Sequence, residues 1–267
     1  MLHMKSVKLY IVSAMIFGVV PISCDKNDEQ LEGNNTYPTT FYRLSEEALL
    51  LKRNDFAKRN PNVYTSLNQF GFCATINADG GDGSPGGFTE AEAIAAVREF
   101  VARNPEYTGV SNPNDLQFRT ISSTTGFNNA VFWHFRTKNQ IIHNVEIDFT
   151  EILFHTQNKK LVGCYGNHFP NVYIPKNFNF SVEQAKAKLL GKEIVHWGWT
   201  GPYGAGTVTA EHLQQCTSNV IIVPVTTNEK IEIRIAWQIN LLAPLDYVFE
   251  IDVMTGEIIG ETPTIIS

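Results

Sequence analysis

Two short strand patterns occur twice in this chain, and their repetition decides how the fold is read. The stretch VFWHF at 131–135 is followed by VEIDF at 145–149, and the stretch IAWQI at 235–239 is followed by FEIDV at 249–253. The spacing within each pair is the same, so the two copies are in register at an offset of 104 residues. A pattern that recurs in this way indicates two copies of one supersecondary unit.

A predicted helix precedes each copy of the strand pattern. Thr89 and Glu92 can form a capping box, and Ser181 and Gln184 can form another. In such a box the hydroxyl accepts a hydrogen bond from a free amide of the first helical turn, and the longer side chain reaches back to the cap. The boxes are 92 residues apart, so the second copy has about twelve more residues between its helix and its tryptophan strand.

The residues after each helix have the alternation typical of strands. Apolar and polar residues alternate in 131–136, in 145–149 and through most of 231–241, which indicates strands with one buried face. Polar residues at 137–140 and 155–160 predict turns. We therefore predict an α+β fold of two tandem modules, each with one helix packed on an antiparallel sheet.

The region before the first module has a different character. Residues 77–87 are rich in glycine and aspartate and predict a hinge. A helix is predicted from Leu44 to Arg59, with Ser45 as its cap and with an apolar face formed by Leu44, Ala48, Leu51 and Leu50. Residues 31–43 are polar and are predicted to extend a tether. The predicted division is 1–23 signal peptide, 24–76 tether and N-terminal helix, 88–175 first module and 176–267 second module.

The first residues have the pattern of an export signal. Lys5 and Lys8 flank the start of an apolar run over 9–22 that ends just before Cys24. This arrangement resembles a bacterial lipoprotein signal, which implies that Cys24 is lipidated and becomes the new N-terminus. The alternative is an uncleaved apolar N-terminus with an incidental buried cysteine. The polar, mostly acidic segment 25–30 resembles the tether of surface-exposed lipoproteins of Bacteroidota, which implies an outer-membrane anchor on the periplasmic or cell-surface side.

Charge and cysteine content limit the possible partners. The formal net charge is −6, and it becomes −8 when residues 1–23 are removed, so there is no basic footprint for nucleic acid. Cys73, Cys164 and Cys216 follow Cys24. In an oxidising compartment one disulfide can form among these three, but their spacing does not select the pair, and buried thiols are the alternative.

The closing strands of the second copy resemble a known family. Residues 235–239, with Trp237, and 249–258, which contain Asp-x-x-Thr-Gly-Glu, resemble the end of a PepSY module. In the first copy, residues 115–118 and 140–145 resemble the FTP module, the propeptide module of thermolysin-like and fungalysin metallopeptidases. In those proenzymes the tandem module acts as an intramolecular chaperone and inhibitor of a peptidase domain.

This resemblance implies a function without catalysis. The sequence has no His-Glu-x-x-His motif, and none of its seven histidines stand four residues apart as helical zinc ligands do. His134, His143, His155 and His168 are predicted to be ordinary strand and turn residues. We expect no catalytic residues, no metal and no cofactor, and we expect a protein partner such as a secreted peptidase, with the membrane contacted through the lipid anchor.

One aromatic stretch is a candidate partner-binding site. Trp197, Trp199 and Tyr203 lie on a glycine-rich segment within the additional residues of the second copy. Aromatic side chains on such a loop can anchor an interface. They can equally pack under the sheet edge as a small satellite core. If they are exposed, the alternative function is a cell-surface module that binds glycan or another envelope component.

Overall fold

The computed structural model describes residues 36–76, 87–126, 129–198 and 201–264. The predicted signal peptide, the lipidation site Cys24 and most of the glycine-rich hinge lie outside these residues. Within the described ranges, no helix has the length and apolar character needed to cross a membrane. A few helices and several antiparallel sheets make up the fold, so the predicted α+β class is confirmed.

The helices and strands of the described residues run from Thr39 to Pro263. The helices are α1 (Glu46–Arg59), α2 (Glu90–Arg103), α3 (Pro105–Thr108), α4 (Val182–Ala187) and α5 (Ala210–Gln215), with a 3-10 helix at Pro113–Asp115. The strands are β1 (Thr39–Tyr42), β2 (Thr65–Leu67), β3 (Cys73–Ile76), β4 (Phe118–Thr125), β5 (Val131–Thr137), β6 (Ile141–Ile142), β7 (Val145–Glu146), β8 (Leu153–Gln157), β9 (Lys160–Tyr165), β10 (Glu193–Gly198), β11 (Gly201–Thr207), β12 (Thr217–Thr226), β13 (Lys230–Leu241), β14 (Tyr247–Asp252) and β15 (Ile258–Pro263).

The first module is a four-stranded antiparallel sheet that carries α2 on one face. Its strand order is β4-β5-β8-β9, and α2 packs against β8 and β9. The predicted capping box starts this helix, because Thr89 Oγ1 accepts from Glu92 N at 3.3 Å and Glu92 Oε2 accepts from Thr89 N at 2.9 Å. The apolar stripe of α2 is buried through Ala93, Val97 and Phe100. The stripe therefore forms the centre of the first core.

The predicted N-terminal helix is confirmed as α1, but its buried face is not the predicted one. Ser45 Oγ accepts from Ala48 N at 3.2 Å and caps the helix. Leu50 and Leu51, predicted on the apolar face, are exposed, and Phe56 is the buried residue. Phe56 packs edge to face against aromatic rings of the first module. Tertiary contacts at one end of the helix, rather than leucine spacing, therefore decide how α1 docks.

The second module is built around the long strand β13. One edge of β13 pairs with β12 along nearly its whole length, and the other edge pairs with β1 in its first part and with β14 in its second. β15 continues the sheet beyond β14. The capping box at Ser181 and Gln184 is confirmed and starts α4. Ala185 and Leu189 then pack on the sheet.

The segment predicted as a tether contributes a strand to the second module. Residues 39–42 form β1, although 31–43 were predicted to lie outside the folded modules. Tyr37 extends the contact, since its hydroxyl accepts from Ile235 N at 3.0 Å and donates to Asp252 Oδ2 at 2.7 Å. The physical reason is that β14 is shorter than β13. The remaining backbone groups on that edge need partners, which β1 and Tyr37 supply.

An equivalent tryptophan hydrogen bond occurs in each of the two modules. Trp133 Nε1 donates to Phe88 O at 3.1 Å, and Trp237 Nε1 donates to Phe180 O at 2.9 Å. Each acceptor belongs to the residue just before a helix N-cap. In both modules the tryptophan therefore ties the central strand to the start of the helix.

The strand predicted at 145–149 does not pair with the tryptophan strand of its own module. It was predicted to follow the tryptophan strand as its neighbour, but β5 pairs with β8 instead. Residues 141–146 form the small β6–β7 hairpin, and Ile147 bridges to Ile222 of the second module. Asp148 N also donates to Ile222 O at 3.0 Å. The reason is burial: Ile147 is 0% exposed in a core whose largest share of buried residues comes from the second module.

The predicted Asp-x-x-Thr-Gly turn is confirmed as a structural element. Asp252 Oδ1 accepts from Met254 N at 2.8 Å and from Thr255 N at 2.9 Å. Gly256 has a φ of 67°, where a side chain would be strained. Asp252 Oδ2 also faces Arg234 Nη1 at 3.3 Å. The carboxylate is thus fully engaged in holding the turn and the sheet together.

Candidate functional site

The structure describes the backbone of part of the predicted aromatic site. Trp197 lies on β10 and Tyr203 on β11, which pair as a hairpin with a bulge between His196 and Trp197. The side chains of both aromatic residues, and all of Trp199, lie outside the described parts of the chain. Their role in binding therefore stays a prediction. The base of this hairpin packs on the second module, since Ile194 is buried in its core.

His134, predicted in a strand, and His155, predicted near a turn, both lie on strands and meet on the open face of the first module. His134 on β5 lies directly opposite His155 on β8. Their Nδ1 atoms are 2.7 Å apart, and the rings meet edge to face with centroids 4.6 Å apart. Nε2 of His134 is 2.9 Å from Oγ1 of Thr124 on β4. One chain of polar contacts therefore crosses three strands on the face opposite α2.

The environment of this pair favours neutral imidazoles. Burial lowers the pKa of His134, and burial together with the neighbouring His134 lowers the pKa of His155. Because the two Nδ1 atoms are at hydrogen-bond distance, one must donate and the other must accept. If both Nδ1 atoms carried a proton, two N–H donors would point at each other, which is unfavourable. Within the described residues, no group of three or more histidine, cysteine or acidic side chains could hold a metal ion.

The histidine pair stands beside an unpaired sheet edge, here called the β4 edge (residues 118–125). Among the described strands, only β5 pairs with β4. From Thr120 to Thr125 the strand contains neither charged residues nor proline, and most of its side chains are exposed. Such an edge presents a row of backbone donors and acceptors that another strand can use.

The hairpin geometry shows which backbone groups point outward. Gly126 N donates to Ala130 O at 2.7 Å, so this pair is hydrogen-bonded across the hairpin. In an antiparallel ladder hydrogen-bonded and non-hydrogen-bonded pairs alternate. Thr125, Ser123 and Ile121, which lie opposite Val131, Trp133 and Phe135, are therefore the residues whose N–H and C=O groups face away from β5.

A cavity of about 510 Å³ lies beside the connection between the modules. Several of the amide side chains in its wall are engaged within the fold. Gln140 accepts from Phe169 N at 2.7 Å and donates to Phe169 O at 2.8 Å, and Asn139 donates to Glu146 at 2.7 Å. His168 also lines the cavity, but its Nε2 atom is shielded from solvent. The amide side chains of Gln140 and Asn139 therefore hold the connection in place.

Comparisons with known proteins add little to this geometry. No protein-family model matches the sequence, and no curated protein matches it. Among solved structures, the chain is similar to the YpeB C-terminal domain of Bacillus megaterium, with 12% identity and a TM-score of 0.30. The match covers 84% of this chain and 99% of that one.

Sequence reasoning missed the site because it missed a strand and a pairing. His134 was predicted in a strand and His155 near a turn, and their contact depends on β5 pairing with β8. β4 was predicted only near its start, at 115–118. The run of Phe, Ile and Thr residues in 118–125 is a composition typical of strands and could have indicated the whole element.

Proposed function

We propose that this chain is a non-enzymatic envelope lipoprotein that binds a protein partner by strand addition at the β4 edge. The observation that carries the proposal is the row of outward backbone groups at Ile121, Ser123 and Thr125, which no described strand satisfies. In strand addition the main-chain hydrogen bonds supply affinity, and alternate side chains supply specificity. The lipid anchor at Cys24 and the outer-membrane location belong to this proposal.

Two other sheet edges carry features that oppose strand addition, which favours the β4 edge over them. The outer edge of β12 is bridged by Ile147 and interrupted by Pro224. β15 ends in Pro263, and its Glu261 forms an ion pair with Lys192 at 2.8 Å. Prolines, charges and covering segments are the usual means by which proteins block edge pairing. Between Thr120 and Thr125, β4 has none of them.

The side chains around the β4 edge suggest the character of the partner segment. A strand added beside Ser123 would have its alternate side chains near the exposed hydroxyls of β4 and near the uncharged His134–His155 pair. Phe132 contributes a partly exposed ring on the same face as His134. This surface fits an extended segment with uncharged β-branched or aromatic residues rather than a highly charged one.

A secreted peptidase is the partner class we propose. The support is the internal repeat of helix and tryptophan strand, which resembles tandem PepSY and FTP modules and is joined in both copies by the same tryptophan hydrogen bond. In the proenzymes that carry such modules, the modules restrain a peptidase domain. We propose that this chain restrains or chaperones a separate peptidase as a non-covalent partner.

The test uses paired variants at one outward-facing amide. Ser123→Pro removes an outward N–H group without removing a β4–β5 ladder bond, whereas Ser123→Ala keeps that group. We expect the wild type and Ser123→Ala to capture the same peptidase from envelope extract, and Ser123→Pro to lose it. The captured peptidase should lose activity when the wild-type protein is added back. Equal capture by Ser123→Pro, with unchanged stability, would reject the β4 edge.

A further inference from the structure

We propose that Cys73 and Cys164 form a disulfide bond that ties the β2–β3 hairpin to the first module. Cys73 begins β3 and is 1% exposed, and Cys164 lies on β9 and is 0% exposed. Both belong to the core of the first module, and their side chains are in hydrogen-bond contact. The bond would join two parts of the chain that lie on opposite sides of the predicted hinge at 77–87.

The backbone around the two cysteines holds β3 beside β9. Thr65 Oγ1 accepts from Cys164 N at 2.9 Å and donates to Cys164 O at 3.1 Å. Gly166 N donates to Cys73 O at 3.0 Å. A disulfide needs the Cα atoms of its cysteines about 4.4–6.8 Å apart. The contact between the two buried side chains and the backbone bond from Gly166 to Cys73 favour such an approach.

The third described cysteine, Cys216, lies away from the other two and does not compete with either for a disulfide partner. Cys216 follows α5 and packs against the core of the second module. Its Sγ atom is 3.1 Å from Leu213 O. The two core clusters are separate, so the fold selects Cys73 and Cys164 as the pair. Sequence spacing alone could not make this choice.

The chemistry requires an external disulfide as oxidant. The thiolate of one cysteine attacks that disulfide, which releases one reduced thiol and leaves a mixed disulfide on the protein. The thiolate of the second cysteine then attacks the protein sulfur of the mixed disulfide, which releases the second reduced thiol and forms the Cys73–Cys164 bond. Two protein thiols are oxidised and one external disulfide is reduced.

Burial determines when this exchange takes place. Burial and the contact with Cys73 raise the pKa of the Cys164 thiol in the folded protein, and a thiol is a poor nucleophile. The bond should therefore form while the chain folds, before β9 is covered. Once formed, the buried disulfide should be slow to react with reductants added to the folded protein.

The first test examines the protein in its native compartment. Intact cells are quenched with acid, and their proteins are denatured and alkylated with N-ethylmaleimide, then digested without a reductant. Mass spectrometry should find one linked peptide pair that contains Cys73 and Cys164, while Cys216 is alkylated. Alkylation of both Cys73 and Cys164, or a bond that includes Cys216, would overturn the proposal.

A second test asks whether the fold alone selects this cysteine pair, independently of the cellular compartment. The purified full chain is denatured, reduced and refolded with oxidised glutathione as the probe. Cys216→Ser should still form the linked peptide, and Cys164→Ser should not. The denaturation midpoint of the Cys216→Ser variant should fall when its disulfide is reduced before unfolding. If Cys216→Ser fails to form the bond during refolding, the geometric argument is wrong.

Discussion

The segment that follows the tryptophan strand behaves differently in the two modules, although its pattern is repeated. In the second module Trp237 lies opposite Ile251, and β14 is the neighbour of β13. In the first module Trp133 lies opposite Thr156, because β8 takes that position. Ile147, the counterpart of Ile251 at the repeat offset, packs instead into the core of the second module.

This difference shows that alternation identifies a buried face but does not identify the strand that covers it. Ile147 and Ile251 are both 0% exposed, so the pattern is satisfied in each copy by a different neighbour. Polar contacts fix the departure in the first copy. Thr150 Oγ1 donates to Ile147 O at 2.6 Å and accepts from Gln140 N at 2.8 Å. Residues 147–149, here called the strut, therefore connect the first module to the second instead of forming a strand of the first sheet.

Replacement of Ile147 should have the largest effect on this comparison. Ile147→Ala would leave a cavity in the core of the second module, so we expect a loss of about 3 kcal/mol in the free energy of unfolding. Urea unfolding followed by circular dichroism would measure it. Because the residue joins the modules, both should lose stability in one transition.

The matched control lies on the other face of the same hairpin. Ile141 is 54% exposed, and Ile141→Ala should change stability by no more than about 0.5 kcal/mol. If the two variants have similar effects, Ile147 does not act as the strut between the modules.

A pH series tests the connection between the modules at His168. Burial lowers the pKa of His168 from 6.5 to about 4, so the folded state holds a neutral ring where the unfolded state binds a proton. Stability should therefore fall as the pH drops from about 6.5 to about 4, with a contribution of about 3 kcal/mol from this residue. Unfolding of the wild type and of His168→Asn across this range would measure it, and the variant should have the shallower dependence. Parallel curves would contradict the assignment.

The two tryptophan hydrogen bonds offer a direct test of equivalence. Trp133→Phe and Trp237→Phe each remove a donor to the carbonyl before a helix cap. We expect each to cost about 1–2 kcal/mol, with similar values because the contacts are alike. Thermal unfolding of the two single variants would measure the costs. A large cost for one and none for the other would show that the repeat is not equivalent in energy.

The smallest expected effect lies where the strut ends. Phe149 is 85% exposed and has a φ of 61°, an unusual conformation for a bulky residue. Asn tolerates this conformation better, so Phe149→Asn should raise stability by up to about 1 kcal/mol. Val253, its counterpart at the repeat offset, is buried and offers the contrast, since Val253→Asn should be strongly destabilising. A clear loss of stability in Phe149→Asn would show that the ring makes contacts within the fold.

The helix caps were predicted correctly from the sequence, and strand partners distant in the chain were not. The caps at Thr89 and Ser181 were predicted because a capping box involves residues only three positions apart. The pairing of β1 with β13 joins residues about 190 positions apart, and no local pattern in 39–42 indicates it.

The candidate site follows the same rule. His134 was predicted in a strand and His155 near a turn, but their contact depends on which strand is the neighbour of β5. The outer edge of β4 has no paired strand among the described residues. This could not be predicted from the sequence, because it depends on how all the strands are arranged in the sheet. The aromatic prediction at Trp197 and Tyr203 stays a prediction.

Amide hydrogen exchange on the captured complex tests the central claim most directly. The outward amides of Ile121, Ser123 and Thr125 have no strand partner among the described residues, so they should exchange quickly in the isolated protein. Strand addition predicts that all three slow strongly when the partner binds, while the protected amides between them change little. Unchanged exchange along β4, with protection appearing only on the β10–β11 hairpin, would contradict the account.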